Sequence, residues 1–383
     1  MSEWPMVKLG DLGEFINGFA FKPSDWSEDG TPIIRIQNLT NPQALFNRTT
    51  KRVKDVLYVE PGDLLVSWSA TLGVFRWQGK ERAVLNQHIF KVVSKPIIEN
   101  EFLEFSLKFA LQQVEKYLHG ATMRHVNRQE FLDLKIPLPP LGEQKRIAEI
   151  LGGVSKAIHA VEQQLQLVES ACVNSFERKF NLEMQNGVRD ASSIADFIAS
   201  TQYGTSKKAK EDGDIPILRM GNVTYSGKIN MTDLKYIDLD ERELEKFSLK
   251  NGDLLFNRTN SAELVGKTAV FESFSDQIIS YAGYLVRARV NADSNPYYVS
   301  GYLNSPSGKA QLRLRAKAIV GMANINAREF LSLEIPAATK EEQEEFANLF
   351  EKCEKIRHLL HRKLSLLQEL QKSLATRAFA GLL

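Results

Sequence analysis

Asn127-Arg128-Gln129-Glu130-Phe131-Leu132-Asp133-Leu134-Lys135-Ile136-Pro137 is met again as Asn326-Ala327-Arg328-Glu329-Phe330-Leu331-Ser332-Leu333-Glu334-Ile335-Pro336, 199 residues further on. Glu143-Gln144 and Glu342-Gln343 keep the same shift, with no gap between. Each copy then runs into a long heptad-patterned segment. Two similar halves, each a globular region followed by a long helix, present two similar surfaces at a fixed separation. Such a chain suits measurement better than catalysis.

Upstream of each copy the same order of elements is legible. Short apolar runs punctuated by Gly, Pro and Asn read as strands. In the first half these are Pro32 to Ile36, Asp63 to Ser67, Gly73 to Trp77 and His88 to Val93. A helix follows from Asn100 to Leu118, with Phe102, Leu103, Leu107, Leu111 and Val114 on one face. In the second half Pro216 to Met220, Asn251 to Phe256, Gly266 to Phe271 and Gly283 to Arg287 read as strands, and Pro296 to Leu314 as one helix. Strands followed by a helix, used twice, predict an α+β domain and a pseudo-twofold internal repeat.

The segments after each repeat carry an a/d seam. Ile147, Leu151, Val154, Ile158, Val161, Leu165, Val168 and Cys172 alternate steps of four and three. Phe346, Leu349, Cys353, Ile356, Leu360, Lys363, Leu367, Leu370 and Leu374 do the same, with a polar interruption at Lys363. About four heptads predict a coiled coil. Thr339 and Glu342 have capping-box spacing, and Pro139-Pro140 ends the extended chain before Leu141. Glu143 and Gln144 read as helix initiation. One helix leads from the first domain to the second and the other returns, so the pair is expected to be antiparallel, a rod of roughly 50 Å. Cys172 should then approach Cys353 as a reduced neighbour. The expected divisions are a first domain at 1–140, a central long helix at 141–182, a second domain at 183–338 and a C-terminal long helix at 339–383.

The 383 residues are 43% hydrophobic and 25% charged, with a net charge of only +2. These values fit a soluble globular protein and leave any polyanion site to local clustering. No apolar stretch reaches the roughly 18 residues of a membrane span, and the start lacks a signal-peptide pattern, so a cytoplasmic location is the default. The two cysteines have no CxxC spacing, and His358 and His361 lack ligand partners at helical spacing, which argues against zinc.

Two domains held apart suit duplex DNA with two half-sites, since roughly 50 Å is about one and a half helical turns. Basic loops carry Arg48, Lys51 and Arg52, then Lys207 and Lys208, then Arg313, Arg315 and Lys317. Asn86-Gln87-His88 precedes a strand, Asn257, Arg258 and Asn260 follow one, and Arg35, Asn38, Arg219 and Asn222 stand at the ends of matching strands. Arg, Asn and Gln forks fit guanine and adenine edges, whereas Lys clusters serve phosphates.

These residues resemble a known family. Gly321 to Pro336, and Ile136 to Gln144, are similar to the signature that ends target-recognition domains of the DNA-specificity subunits of Type I restriction-modification systems. Asn251 to Ser261 with Leu264-Val265-Gly266-Lys267 is similar to one common version of that domain. His125-Val126-Asn127 departs from Asn324-Ile325-Asn326, as expected of domains reading different sequences. The resemblance implies two target-recognition domains separated by a long antiparallel two-helix coiled coil. Each domain would read one half of an asymmetric bipartite site. The helices would set the spacer and dock two modification subunits, which bind S-adenosylmethionine, and restriction subunits would join them. The chain itself would bind no cofactor and have no catalytic residue.

Three patterns imitate active sites. Gly266-Lys267-Thr268 ends like a phosphate loop, but a strand follows where a helix is required. Asn295-Pro296-Tyr297-Tyr298 lacks the second proline of an adenine methyltransferase motif and reads as a helix start. Asp-Leu-Lys at Asp133 and Asp233 lacks an upstream nuclease partner. The rivals to the reader are a coiled-coil scaffold with two protein-binding domains and a self-contained DNA-modifying enzyme.

Overall fold

The computed structural model describes residues 4–41, 43–68, 71–118, 128–273, 277–319 and 322–383. His125-Val126-Asn127 and Gly321 lie outside them, as do the side chains of Val114 and Lys317. The chain forms two compact units, Met1–Glu162 with Lys363–Leu383, and Gln163–Arg362.

In the first unit an antiparallel sheet runs Gly13–Asn17, Ile89–Ser94, Leu64–Ser67, Gly73–Arg76. A second sheet runs Asn47–Thr49, Thr31–Ile34, Ala83–Leu85, Tyr58–Val59, with its two central strands parallel. Leu64–Ser67 is buried throughout, which explains why its sequence is continuously apolar rather than alternating. The predicted helix is Asn100–Leu118. Its Phe102, Leu103, Leu107 and Leu111 close the core over Leu64, Val66, Phe90 and Val92.

The second unit repeats this. Its sheet runs Ile198–Tyr203, Leu285–Val290, Leu254–Asn257, Thr268–Val270, and Ile215–Leu218 pairs in parallel with Ser280–Tyr281. The expected single helix from Pro296 is instead two, Pro296–Asn304 and Pro306–Arg315. Pro306 forces the preceding residue out of helical geometry. Ser305 accordingly takes ψ 158° and caps the second helix through Gly308 N–H at 3.1 Å.

The repeated stretch has the same purpose in both units. Phe131 and Phe330 are fully buried, with ring centroids 6.1 Å from Phe90 and 4.5 Å from Phe256. Lys135–Pro137 pairs with Met6–Lys8, and Glu334–Pro336 with Ala191–Ser193. In the second copy Asn326 and Glu329 form a reciprocal capping box at 2.9 and 3.0 Å. Each unit is thus closed by its own last strand.

The long helices are Leu141–Phe176, continued through a π-helical turn at Glu177–Asn181, and Lys340–Phe379. They run antiparallel within each unit. In the first, Gln371 Nε2 donates to Ser155 Oγ at 2.7 Å and Arg146 to the Leu383 carbonyl at 2.8 Å. In the second, Phe176 lies 4.9 Å from Phe346, and Cys172 adjoins Cys353. Both cysteines are free thiols, as expected.

The expected seam is right on the central helix and needs correction on the C-terminal one. Leu349, Ile356 and Leu370 are 39%, 48% and 46% exposed. The inward positions are Phe346, Phe350, Cys353, Arg357, Leu360, Leu364, Leu367, Gln371, Leu374 and Ala378, which are buried or half-buried. The sequence is apolar on both flanks of this line, so hydrophobicity alone does not select it. A polar pair across the helices marks the chosen line: Gln371 finds Ser155 at 2.7 Å.

Gln144 and Gln343 do more than start helices. Both are buried. Gln144 accepts from Glu99 N–H at 2.7 Å and donates to the Pro139 carbonyl at 2.8 Å. Gln343 accepts from Asn295 N–H at 2.9 Å and donates to the Ala338 carbonyl at 3.1 Å. Each ties the start of a long helix to the start of its unit's own packed helix.

Candidate nucleic-acid interface

A corner with the same set of backbone hydrogen bonds stands in both units, where Leu64–Ser67 and Leu254–Asn257 leave the sheet. Trp68 N–H donates to the His88 carbonyl at 3.3 Å, and Arg258 N–H to the Tyr284 carbonyl at 3.0 Å. Gly18 N–H donates to Ile89 at 3.0 Å, and Gly204 N–H to Leu285 at 3.1 Å. Phe19 and Gln87 exchange bonds with Leu85 and Phe19 at 2.8 and 2.9 Å, just as Thr205 and Gly283 do with Tyr281 and Thr205 at 3.0 and 2.8 Å. Only glycine fits at Gly18 and Gly204, because an added Cβ would lie 2.0 Å from the Asn86 carbonyl oxygen and 2.3 Å from that of Ala282.

The structure divides the sequence-predicted residues sharply. Asn38 and Asn222 are buried turn-formers rather than free readers. Asn38 Oδ1 accepts from Arg35 N–H at 3.0 Å while Nδ2 donates to the Ala44 and Leu45 carbonyls at 3.2 Å. Asn222 Oδ1 accepts from Arg219 N–H at 2.8 Å, and its Nδ2 donates to Asn230 and Asp233. Their recurrence beside Arg35 and Arg219 therefore has a structural cause. Arg35 sits 5.7 Å from the Trp26 ring, and Arg219 pairs with Asp233 at 2.9 Å.

Several basic clusters are already neutralised. Arg48 pairs with Glu81 at 2.8 Å, Lys51 with Asp25 at 2.7 Å, and Lys207 with Glu243. Arg52 and Lys208 are exposed. Arg313 and Arg315 occupy the last turn of Pro306–Arg315, where a cation favours the helix dipole, and reach Tyr225 Oη at 3.2 Å and Ser332 Oγ at 3.4 Å. Asn260 caps Ser261 N–H at 2.9 Å.

Asn86, Gln87, Asn257 and Arg258 are brought together, two to each corner. Arg258 lies 4.9 Å from the Tyr203 ring. Sequence reasoning missed Trp68, Tyr203 and Tyr284 and gave His88 no role within Asn86-Gln87-His88; these four complete the two corners. Trp68 and His88 meet edge to face at 5.0 Å. His88 is the one non-glycine with positive φ, 71°, among the described residues.

Two basic side chains nearby lack carboxylate compensation. Burial, with Arg313 adding to it, brings Lys309 down to about 8 as it lies 3.6 Å from the Tyr225 ring. Burial alone lowers Lys267, whose Nζ donates to the Met220 carbonyl at 2.8 Å. Cys172 is pushed up to about 12 by burial and by Cys353, which makes it a poor nucleophile.

Two of the three imitations take the local structure expected from sequence. Gly266 has φ 83° and Thr268 begins a strand, so no helix N-terminus faces a phosphate there. Asn295 caps a helix with Pro296 at its start, and Tyr298 Oη donates to the Pro336 carbonyl at 2.8 Å. Among the described residues no His, Cys, Asp or Glu cluster could hold a metal, and no helix is long and apolar enough to cross a membrane.

A solved S subunit of a Type I restriction-modification system from M. genitalium shares this fold. It aligns with TM-score 0.56 at 13% identity, over 99% of this chain and 96% of that one. A chain solved in work on complex assembly of the type I R-M system gives 0.57 at 14%, over 99% and 98%. Residues 1–170 match the Type I restriction modification DNA specificity domain. Over 99% of its length the chain is 26% identical to the Type I restriction enzyme EcoKI specificity subunit of Escherichia coli K12, covering 89% of that protein. Across nearly its whole length the chain is thus similar to Type I DNA-specificity subunits. The chain is also 24% identical to the StySPI specificity subunit of Salmonella potsdam, over 99% of its own length and 89% of that protein. Its two corners hold one backbone frame with different polar side chains.

Proposed function

We propose that this chain recognises DNA sequence without catalysing a reaction, each unit reading one half of an asymmetric bipartite site. The observation that carries the reading is the repeated frame bearing unlike side chains: Trp68, Asn86, Gln87 and His88 in one unit, Asn257, Arg258 and Tyr284 in the other. Lys and Arg outside the corners supply phosphate contacts that position the duplex. The unit divisions expected from sequence, at 140, 182 and 338, serve as the boundaries of reading domains and helices.

The long helices set the unread spacer and dock two methyltransferase subunits, which carry S-adenosylmethionine, with restriction subunits joining that core in the cytoplasm. The exposed Leu349, Ile356, Leu359, Leu366 and Leu370 of the C-terminal helix support docking, since so many large apolar side chains on one helix suit a partner surface. The chain needs no cofactor of its own for this role.

The test is binding of the assembly of specificity and methyltransferase subunits to a randomised duplex library at several salt concentrations. Enrichment of one two-part sequence, with affinity falling as salt rises, is expected. Binding without sequence preference would favour the scaffold instead.

A further inference from the structure

Buried polar atoms without partners are costly and sparse in folded proteins, and where they cluster they mark a place that something else completes. In this chain most of those among the described residues gather at the two corners. Trp68 Nε1, Asn86 Oδ1 and His88 Nδ1 are orphaned in the first unit, and Asn257 Nδ2 and Oδ1 with Arg258 Nε in the second. Asn257 is fully buried, so both ends of its amide lack water as well as protein. By contrast, the backbone bonds that shape the corners are well formed, at 2.8 to 3.3 Å. Six of the eleven unpaired buried atoms among the described residues thus lie on corner side chains that differ between units.

His88 adds an independent sign. A left-handed backbone costs a non-glycine residue roughly 1–2 kcal/mol, yet the equivalent turn in the second unit holds Tyr284, 53% exposed, without positive φ. The turn shape is thus not required by the frame. It serves the placement of His88 against Trp68.

We propose that these corners are the base-reading edges of the two units, taking the hydrogen-bonding edges of base pairs as their ligand. The inference rests on the DNA-reading function above and assigns it to residues. In the second unit the Arg258 guanidinium offers the fork that fits guanine O6 and N7, braced by the Tyr203 ring. In the first unit the exposed Gln87 amide offers the donor and acceptor that fit adenine N6 and N7. The unpaired Trp68 Nε1 and His88 Nδ1 lie buried in the same corner.

The experiment uses the full-length chain assembled with its methyltransferase subunits and a randomised duplex library, read as base preference at each position. Arg258→Ala should reduce preference for guanine roughly 10- to 100-fold at one position of one half-site. Gln87→Ala should do the same for adenine at one position of the other half-site, and each should leave the opposite half unchanged. His88→Asn, which tolerates the left-handed backbone, should alter the first half-site alone. If Arg258→Ala lowers the melting temperature, Arg258→Lys carries the same test, because lysine keeps the charge and loses the fork. An even loss of affinity across all sequences, full selectivity in Arg258→Lys, or unaltered preferences in the variants would overturn the proposal while wild-type selectivity persists. A wild-type assembly that enriches no sequence would instead overturn the proposed function itself.

Discussion

Gly18→Ala should damage one half of the molecule and spare the other. The added Cβ would lie 2.0 Å from the Asn86 carbonyl oxygen and 2.7 Å from that of Leu85, whereas real Cβ contacts stay beyond 3.0 Å. Both atoms are backbone, so no side chain can swing aside. The turn and the strand must part by about 1 Å. Three bonds oppose this: Phe19 N–H to Leu85 at 2.8 Å, Gln87 N–H to Phe19 at 2.9 Å, and Gly18 N–H to Ile89 at 3.0 Å. Losing two, at about 1 kcal/mol net each, with part of the penalty for the groups left dry, gives roughly 2–3 kcal/mol. In a unit of this size that lowers the melting temperature by roughly 4–12 °C. Calorimetry of the full-length chain should show the fall, and library selection should show a blurred first half-site beside an intact second one. Unshifted melting together with an unaltered first half-site would refute the reasoning.

Phe346→Ala should destabilise the second unit by roughly 3–5 kcal/mol. The ring is buried, 4.9 Å from Phe176 and 6.2 Å from Phe180, and chemical denaturation showing under 1 kcal/mol would contradict that packing. Glu342 is held down to about 2 by Arg189, from a usual 4.5. Its contribution is therefore complete above pH 4.5 and is lost as pH falls toward 2. Glu342→Gln should lower stability by roughly 1–2 kcal/mol at neutral pH, and the gap from wild type should close near pH 2. A gap of constant size down to that pH would show that the charge on Glu342 is not responsible.

The parts of the fold that were readable in advance share one property: local pattern and tertiary environment agree. Asn100–Leu118 carries its apolar stripe where the sheet requires it, and Thr339 with Glu342 caps the C-terminal helix as their spacing indicates. Where two apolar flanks compete, as at Leu349 and Phe350, only the partner surface chooses between them. The single helix expected from Pro296 failed at Ser305 because a proline such as Pro306 can either kink a continuous helix or open a new one, and the local sequence does not choose. The site was half legible. Asn86-Gln87 and Asn257-Arg258 drew attention by side-chain type. Trp68, Tyr203 and Tyr284 did not, and His88 was given no role, because no constant shift relates the corners. Gly18 corresponds to Gly204, Ser67 to Asn257 and His88 to Tyr284, at shifts of 186, 190 and 196. Their kinship lies in backbone bonds, which leave little trace in residue identity. Asn38 and Asn222 show the opposite failure, since recurring polar residues can be repeated for a turn.

Gln371 against Ser155 has one further consequence. Leucine is indifferent to which leucine it meets, so an apolar helix pair can slide by a heptad at small cost. Here a slide in one direction would set the Gln371 amide against Ala148, and in the other against Glu162, in place of the hydroxyl it now meets at 2.7 Å. A single amide thus works as a detent, and it makes the offset between the two helices a property of the sequence rather than of chance association.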